Sequence, residues 1–215
     1  MLVTFKKFSM LIITIKQGKE KSLLAHQPWV YASAVERVDG RAQEKMTPGV
    51  TALVHSSAGH FLARAAYNSR SQIRARVWSF DLNEAVDHAM IKRRVKAAVA
   101  KRGGKPAASI ALVIGDEDGL SGLLVQWYGG IGGFLVCEFQ AAGVEAWKVA
   151  IVQALMAETG CRNVYEQCSP LLRKGEGLPM LSGVLAGEAP PESLKLSQGG
   201  ATLSLDIKRS KKPRA

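Results

Sequence analysis

The ten residues SQIRARVWSF, Ser71 to Phe80, alternate with period two: Ile73, Ala75, Val77 and Ser79 fall on one face, and Arg74, Arg76, Trp78 and Phe80 on the other. Such alternation predicts a half-buried strand. One face then carries two guanidinium groups beside an indole, and arginines interleaved with aromatics pair with phosphates and stack on bases, as single-stranded or loop RNA is held. The same pattern arises when Trp78 and Phe80 turn toward a second core and the arginines stay on a solvated rim. Periodicity alone does not separate the two.

Upstream, runs rich in Val, Ala, Phe and Trp extend from Val30, separated by the turn signals VDGR near residue 39, TPG at 47–49, SSAG at 56–59 and NSR at 68–70. Strands at that spacing predict a small barrel or curled sheet. Leu11 to Ile15 reads as a further strand. Between them GKEKSLLAHQPWVY reads as a short helix from about Gly18 to before Pro28. Lys16, Lys19 and Lys21 crowd its first turn, where lysines oppose the helix dipole; an external anion would account for them, and so would a solvated helix start. MLVTFKKFSMLIITI at the start resembles a signal peptide, but Lys6 and Lys7 split the apolar stretch and no small-residue cleavage site follows. No run approaches the roughly 18 to 20 apolar residues of a membrane span, so no membrane partner is expected.

Downstream, Asp81 is expected to cap a helix from Leu82 to Arg102, whose basic cluster IKRRVKAAVAKR is largely ordinary chemistry for the negative end of a helix. GGKP (103–106) breaks it and marks a domain boundary. The strands SIALVIG, SGLLVQWY and GFLVCEFQ follow as two hairpins, then a helix from about Val144 to Thr159, a strand RNVYEQ, a polar, Pro-rich passage from Ser169 to Pro191 and a last strand near Ala201 to Ile207. The fold class is α+β with mostly antiparallel strands.

Charge divides along the same lines. Of the net +11, residues 1–103 hold 18 basic and 7 acidic residues, 104–207 hold 6 and 11, and the last eight hold 5 basic and no acidic ones. A basic module is thus joined to a slightly acidic one, with a basic tail, which favours an anionic partner for the first. At 47% hydrophobic the chain is not disordered. Cys137, Cys161 and Cys168 form no metal-ligand spacing and no disulfide framework, so a reducing, cytoplasmic setting and no metal are expected. GGIGG (129–133) is followed by a strand rather than a helix and reads as a hairpin turn, not a nucleotide loop. Asp116, Glu117 and Asp118 lack the spread of a calcium loop and read as a polar turn. The histidines His26, His55, His60 and His88 are scattered, and nothing forms a catalytic constellation.

GKEKSLLAHQPWVYASAV (18–35), AYNSRSQIRARVWSFD (66–81), GDEDGLSGLLV (115–125) and RKGEGLP (173–179) together resemble the amino-terminal half of a bacterial family of S-adenosylmethionine-dependent methyltransferases that make 5-methylcytosine in 23S ribosomal RNA. The resemblance covers about residues 12–207. It implies a PUA-like RNA-binding pseudo-barrel (10–81), a linking helix (82–103), a small α+β connecting domain (104–207) and a disordered basic tail (208–215). It implies 23S ribosomal RNA as partner, a homodimer being one reading of the assembly. Lys19 and Lys21 would neutralise phosphate, Arg74 and Arg76 would pair with phosphate or base edges, and Tyr67 or Trp78 would offer a stacking surface. Arg70 and Trp29 complete the RNA-binding candidates.

Departures from the family pattern matter equally. Where the family runs on into a Rossmann-type domain, this chain reads KRSKKPRA. No Gly-rich strand-to-helix turn for S-adenosylmethionine, no Asp-Pro-Pro motif and no matching nucleophilic cysteine is present, so no cofactor and no catalytic residue are expected in these 215 residues. The ending reads as an early stop or frameshift, the alternative being part of an active methyltransferase whose remainder is missing from the sequence. Ala25, His26 and Gln27 before Pro28-Trp29, Gln126-Trp127-Tyr128 and Glu166 to Ser169 also depart from the family's residues at those places.

Overall fold

The computed structural model describes residues 10–102, 109–198 and 201–209. The chain divides into two compact units, one up to Val86 and one from Asp87 onward.

In the first unit, β1 (Leu11–Ile15), α1 (Lys21–Leu24), β2 (Trp29–Tyr31), β3 (Val35–Asp39), α2 (Ala42–Met46), β4 (Val50–His55), β5 (Phe61–Tyr67) and β6 (Ile73–Ser79) follow in order. The strands form one sheet ordered β2-β6-β5-β4-β1-β3, with β1 and β4 parallel and the other pairs antiparallel. The two edge strands β2 and β3 are joined by the single turn Ala32–Ala34, so the sheet must curl until its edges nearly meet. Ala32 N donates to Gln72 O at 2.9 Å and Lys16 N to Ala34 O at 2.9 Å, which closes the seam. Leu11, Ile13, Ile15, Ala52, Val54, Ala63, Ala65, Ala75 and Val77 line the interior, and Leu23 of α1 packs into the same core. Small alanines on three adjacent strands let so tight a curl close, while the branched residues fill it; Ile13→Ala would cost roughly 2–5 kcal/mol.

Several local expectations change. The segment from Gly18 holds only one helical turn, α1, so the dipole argument for Lys19 and Lys21 loses its force; Lys19 stands exposed before that turn and Lys21 exposed at its first position. The run after Asp39 contains α2, which the turn-rich pattern hid; its sign is Glu44 three residues after Arg41, accepting Arg41 N at 3.1 Å.

In the second unit, α3 (His88–Arg102), β7 (Ser109–Ile114), β8 (Leu123–Tyr128), β9 (Phe134–Phe139), α4 (Ala142–Ala146), α5 (Lys148–Thr159), β10 (Asn163–Glu166), α6 (Pro170–Gly175), β11 (Gly183–Ala186), β12 (Leu194–Gln198) and β13 (Ala201–Leu205) follow. The sheet order is β11-β10-β9-β8-β7, with β9 and β10 parallel and the rest antiparallel, and β12 pairs β13 as a separate hairpin. Helices α3 and α5 pack on one another and α3 on β7. The whole is α+β: a curled-sheet PUA-like half-barrel followed by an α+β unit.

The helix expected from Leu82 begins at His88. Asp81 instead bonds Asn83 N at 2.8 Å in a local turn, and Asp87 caps the helix by accepting Met90 N at 2.8 Å. It packs within the second unit and is not a detached link. The helix expected over Val144 to Thr159 breaks at Trp147, whose backbone leaves the helical region (ψ 11°). The passage from Ser169 to Pro191 holds α6 and β11, and β12 precedes the last strand; short elements rich in Pro, Gly and Ser carry too little periodicity to be read. The boundary residues 103–106 and the tail from 210 lie outside the described residues, and residues 208 and 209 fall in a single turn, Ile207–Arg209.

Candidate nucleic-acid interface

β6 pairs on both sides, and its register decides which residues share the outer face. Trp29 of β2 stands opposite Arg76, and Arg76 opposite Ala66 of β5, which is itself opposite Thr51 of β4. Trp29 and Arg76 are therefore cross-strand neighbours at an edge of the sheet, with Cβ atoms about 4.5–5.5 Å apart.

Tyr67 has the opposite parity. It pairs with Ala75, lies 6% exposed and belongs to the barrel core, so it presents no ring face for stacking. Trp78 also leaves the expected face. Ala65 pairs with Val77 but Arg64 with Ser79, so Trp78 is the extra residue of a β-bulge and is 5% exposed. Phe80 packs against the barrel core, and the His26 ring lies 4.6 Å from it. The exposed face is thus carried by Arg74, Arg76 and Trp29, not by the four residues that alternation selects.

Arg74 has a second task. Its Nη1 donates to Ser69 O and to Asn68 O, the latter at 3.4 Å, tying down the β5–β6 hairpin. Arg70 lies exposed at the tip of that hairpin, its N–H accepted by Asn68 Oδ1 at 3.0 Å. The seam through Ala32–Ala34 brings this hairpin and the lysine loop together, since it bonds Gln72 on one side and Lys16 on the other. Lys16 is occupied, with Nζ on Ser33 O at 3.0 Å, whereas Lys19 and Lys21 point to solvent and make no ion pair among the described residues.

Arg64 was not evident from the sequence. It pairs with Ser79 and Leu53 on the outer side, and its Nη2 donates to Leu82 O at 2.9 Å. The signal was Ala63 and Ala65 flanking it in FLARAAY, an alternation with alanine as the apolar partner.

Among the described residues of the second unit, the sequence's other candidate motifs serve structure. GGIGG closes the β8–β9 hairpin through one turn, Gly130–Gly132, and accepts Trp127 Nε1 at Gly130 O at 2.8 Å. It offers no helix N-terminus to a nucleotide. A Cβ on Gly133 would lie 1.8 Å from Tyr128 O, so this glycine serves close backbone approach in the turn. Burial above all, then the Glu166 charge and Cys161, pushes the Cys137 thiol far up, with Lys148 opposing, so it remains a neutral thiol and no nucleophile. The acidic turn is structural: Asp118 takes Arg102 at 2.7 and 2.8 Å and caps Ile114 N at 2.6 Å. Among the described residues no group of three or more His, Cys, Asp or Glu is placed to hold a metal, and no helix is long and apolar enough to cross a membrane.

Residues 13–80 match the profile of the PUA-like domain. Over 201 residues the chain is 36% identical to ribosomal RNA large subunit methyltransferase I of Aliivibrio fischeri, covering 91% of this chain and 48% of that protein. Over 202 residues it is 39% identical to the same-named protein of Cronobacter sakazakii, covering 91% and 49%. A candidate SAM-dependent methyltransferase of Streptococcus mutans superposes with a TM-score of 0.71 at 16% identity, covering 93% of this chain and 49% of that one. A candidate methyltransferase solved with SAH gives 0.73 at 15%, covering 94% and 49%. At that identity the structures show the fold alone. The chain therefore carries a PUA-like domain and is similar, across both of its units, to ribosomal RNA large subunit methyltransferases I, of which it spans about half the length.

Proposed function

We propose that these 215 residues are the RNA-recognition part of a ribosomal RNA cytosine-5 methyltransferase, binding 23S ribosomal RNA through the β2–β6 face of the barrel. The observation that carries the reading is the Trp29–Arg76 cross-strand pair at an exposed sheet edge, in the half of the chain that holds the positive charge. Arg76 supplies a fork for a phosphate or base edge, Trp29 a ring beside it, and Lys19, Lys21, Arg70 and Arg74 neutralise flanking phosphates.

Among the described residues the groups present do not fit S-adenosylmethionine, since the glycine-rich turn at 129–133 leads into a strand and burial keeps the Cys137 thiol neutral. The proposal therefore assigns methyl transfer to none of them. Filter binding of a 23S transcript across a salt series tests the reading. Arg74→Ala with Arg76→Ala should weaken binding about tenfold and lower the slope of log K against log salt by about 1.4–1.8, the share of two phosphates. Unchanged affinity and slope refute the face. Calorimetry should show no binding of S-adenosylmethionine by the purified chain, and clear heat of binding would overturn that part.

A further inference from the structure

Helix α3 carries Lys92, Arg93, Arg94, Lys96, Lys101 and Arg102 and no acidic residue. Their positions divide them. Arg94 and Arg102 turn to the protein: Arg94 Nη1 donates to Gly119 O at 2.6 Å, and Arg102 holds Asp118. Lys101 and Arg102 occupy the last turn, where the helix dipole favours cations, and Lys101 Nζ lies 3.9 Å from Glu117 Oε2. Fold chemistry accounts for these three.

Lys92 and Lys96 remain. Both are exposed and stand mid-helix, beyond the first and last turns within which the dipole acts. At about 100° per residue Lys92 and Lys96 fall about 40° apart on the surface, with Ala89, Ala100 and Arg93 inside the next 60° or so. Like charges at i and i+4 repel, so local helix stability disfavours the Lys92–Lys96 pair, and neither lysine makes an ion pair among the described residues. Exposed alanines 89, 97 and 100 border the stripe, so a bulky polyanion backbone meets no long side chain beside the charges. The side of the helix with Met90, Ile91, Val95 and Ala98 is buried, and Val99 borders the lysines at the edge of that side.

We infer that the exposed face of α3 is a second RNA-contacting surface, carried by the second unit, in which Lys92 and Lys96 track phosphates without reading bases. The inference rests on the reading that RNA is the ligand of the barrel.

The test is Lys92→Gln with Lys96→Gln in the full chain, titrated with the 23S transcript over a salt series beside the Arg74→Ala, Arg76→Ala protein. Affinity should fall about three- to tenfold and the salt slope by about 1.4–1.8, while Lys92→Arg with Lys96→Arg keeps wild-type binding. Unchanged affinity and slope in the glutamine variant, with the arginine pair still sensitive, overturn the α3 surface and leave the barrel reading standing. If neither pair matters, both fall. Phosphatidylserine vesicles serve as the competing polyanion: lysine-dependent vesicle binding with intact RNA binding assigns the face to a membrane and also overturns the inference.

Discussion

The barrel and the core of the second unit use the same basic residue types in opposite ways. In the second, Arg173 is 1% exposed and bonds Phe139 O at 2.7 Å, Pro179 O at 2.6 Å, Glu145 at 2.9 Å and Glu166 at 3.2 Å, while Lys148 reaches the same two carboxylates at 2.7 and 2.9 Å. That cluster pairs two cations with two carboxylates and is close to neutral, although the buried Arg173 Nη2 finds no acceptor among the described residues. On the barrel, Lys19, Lys21 and Arg70 are exposed, and Arg76 stands half-buried opposite Trp29. The buried cluster maintains structure, whereas on our proposal the basic edge of the barrel holds a ligand.

Substitutions sharpen the contrast. The largest effect belongs to Arg173→Met, which leaves Glu166 buried without its arginine and should cost about 3–5 kcal/mol in urea unfolding. Binding of RNA by the fraction still folded should be unaltered. Arg102→Leu strips the nearly buried Asp118 of its bidentate partner and should cost about 2–3 kcal/mol by the same measurement. Arg74→Ala with Arg76→Ala inverts the pattern: about 1.4 kcal/mol of RNA affinity is lost, a tenfold change, with a smaller loss of stability confined to the hairpin that Arg74 ties. The smallest effect is expected for Lys101→Ala, whose exposed 3.9 Å pair with Glu117 should contribute less than about 0.5 kcal/mol to stability. An Arg173→Met protein as stable as wild type would break the contrast from one side, and an Arg74, Arg76 double variant that binds normally would break it from the other.

The barrel was legible because its signals are local. Leu11–Ile15 and Ile73–Ser79 fall where alternation placed them, and the hairpins of the second unit follow their turn residues. What alternation misplaced follows from pairing between strands. The bulge at Trp78 depends on β5, the parity of Tyr67 on the hairpin that joins it to β6, and the importance of Trp29 on its register against Arg76. No single-strand pattern contains those. Helix α3 began six residues later than expected because Asp81 and Asp87 are equally good caps in sequence, and only the packing of Met90 and Ile91 into the second unit chooses between them.

The central claim is that the outer β2–β6 face of the barrel holds RNA. Ultraviolet cross-linking of the intact chain to a 23S transcript, with mass-spectrometric mapping of the linked residues, tests it most directly. The account predicts adducts on Trp29 and on the peptide from Arg70 to Arg76, competed by unlabelled transcript. Adducts confined to residues 109–198, or none on β2 and β6, would contradict it.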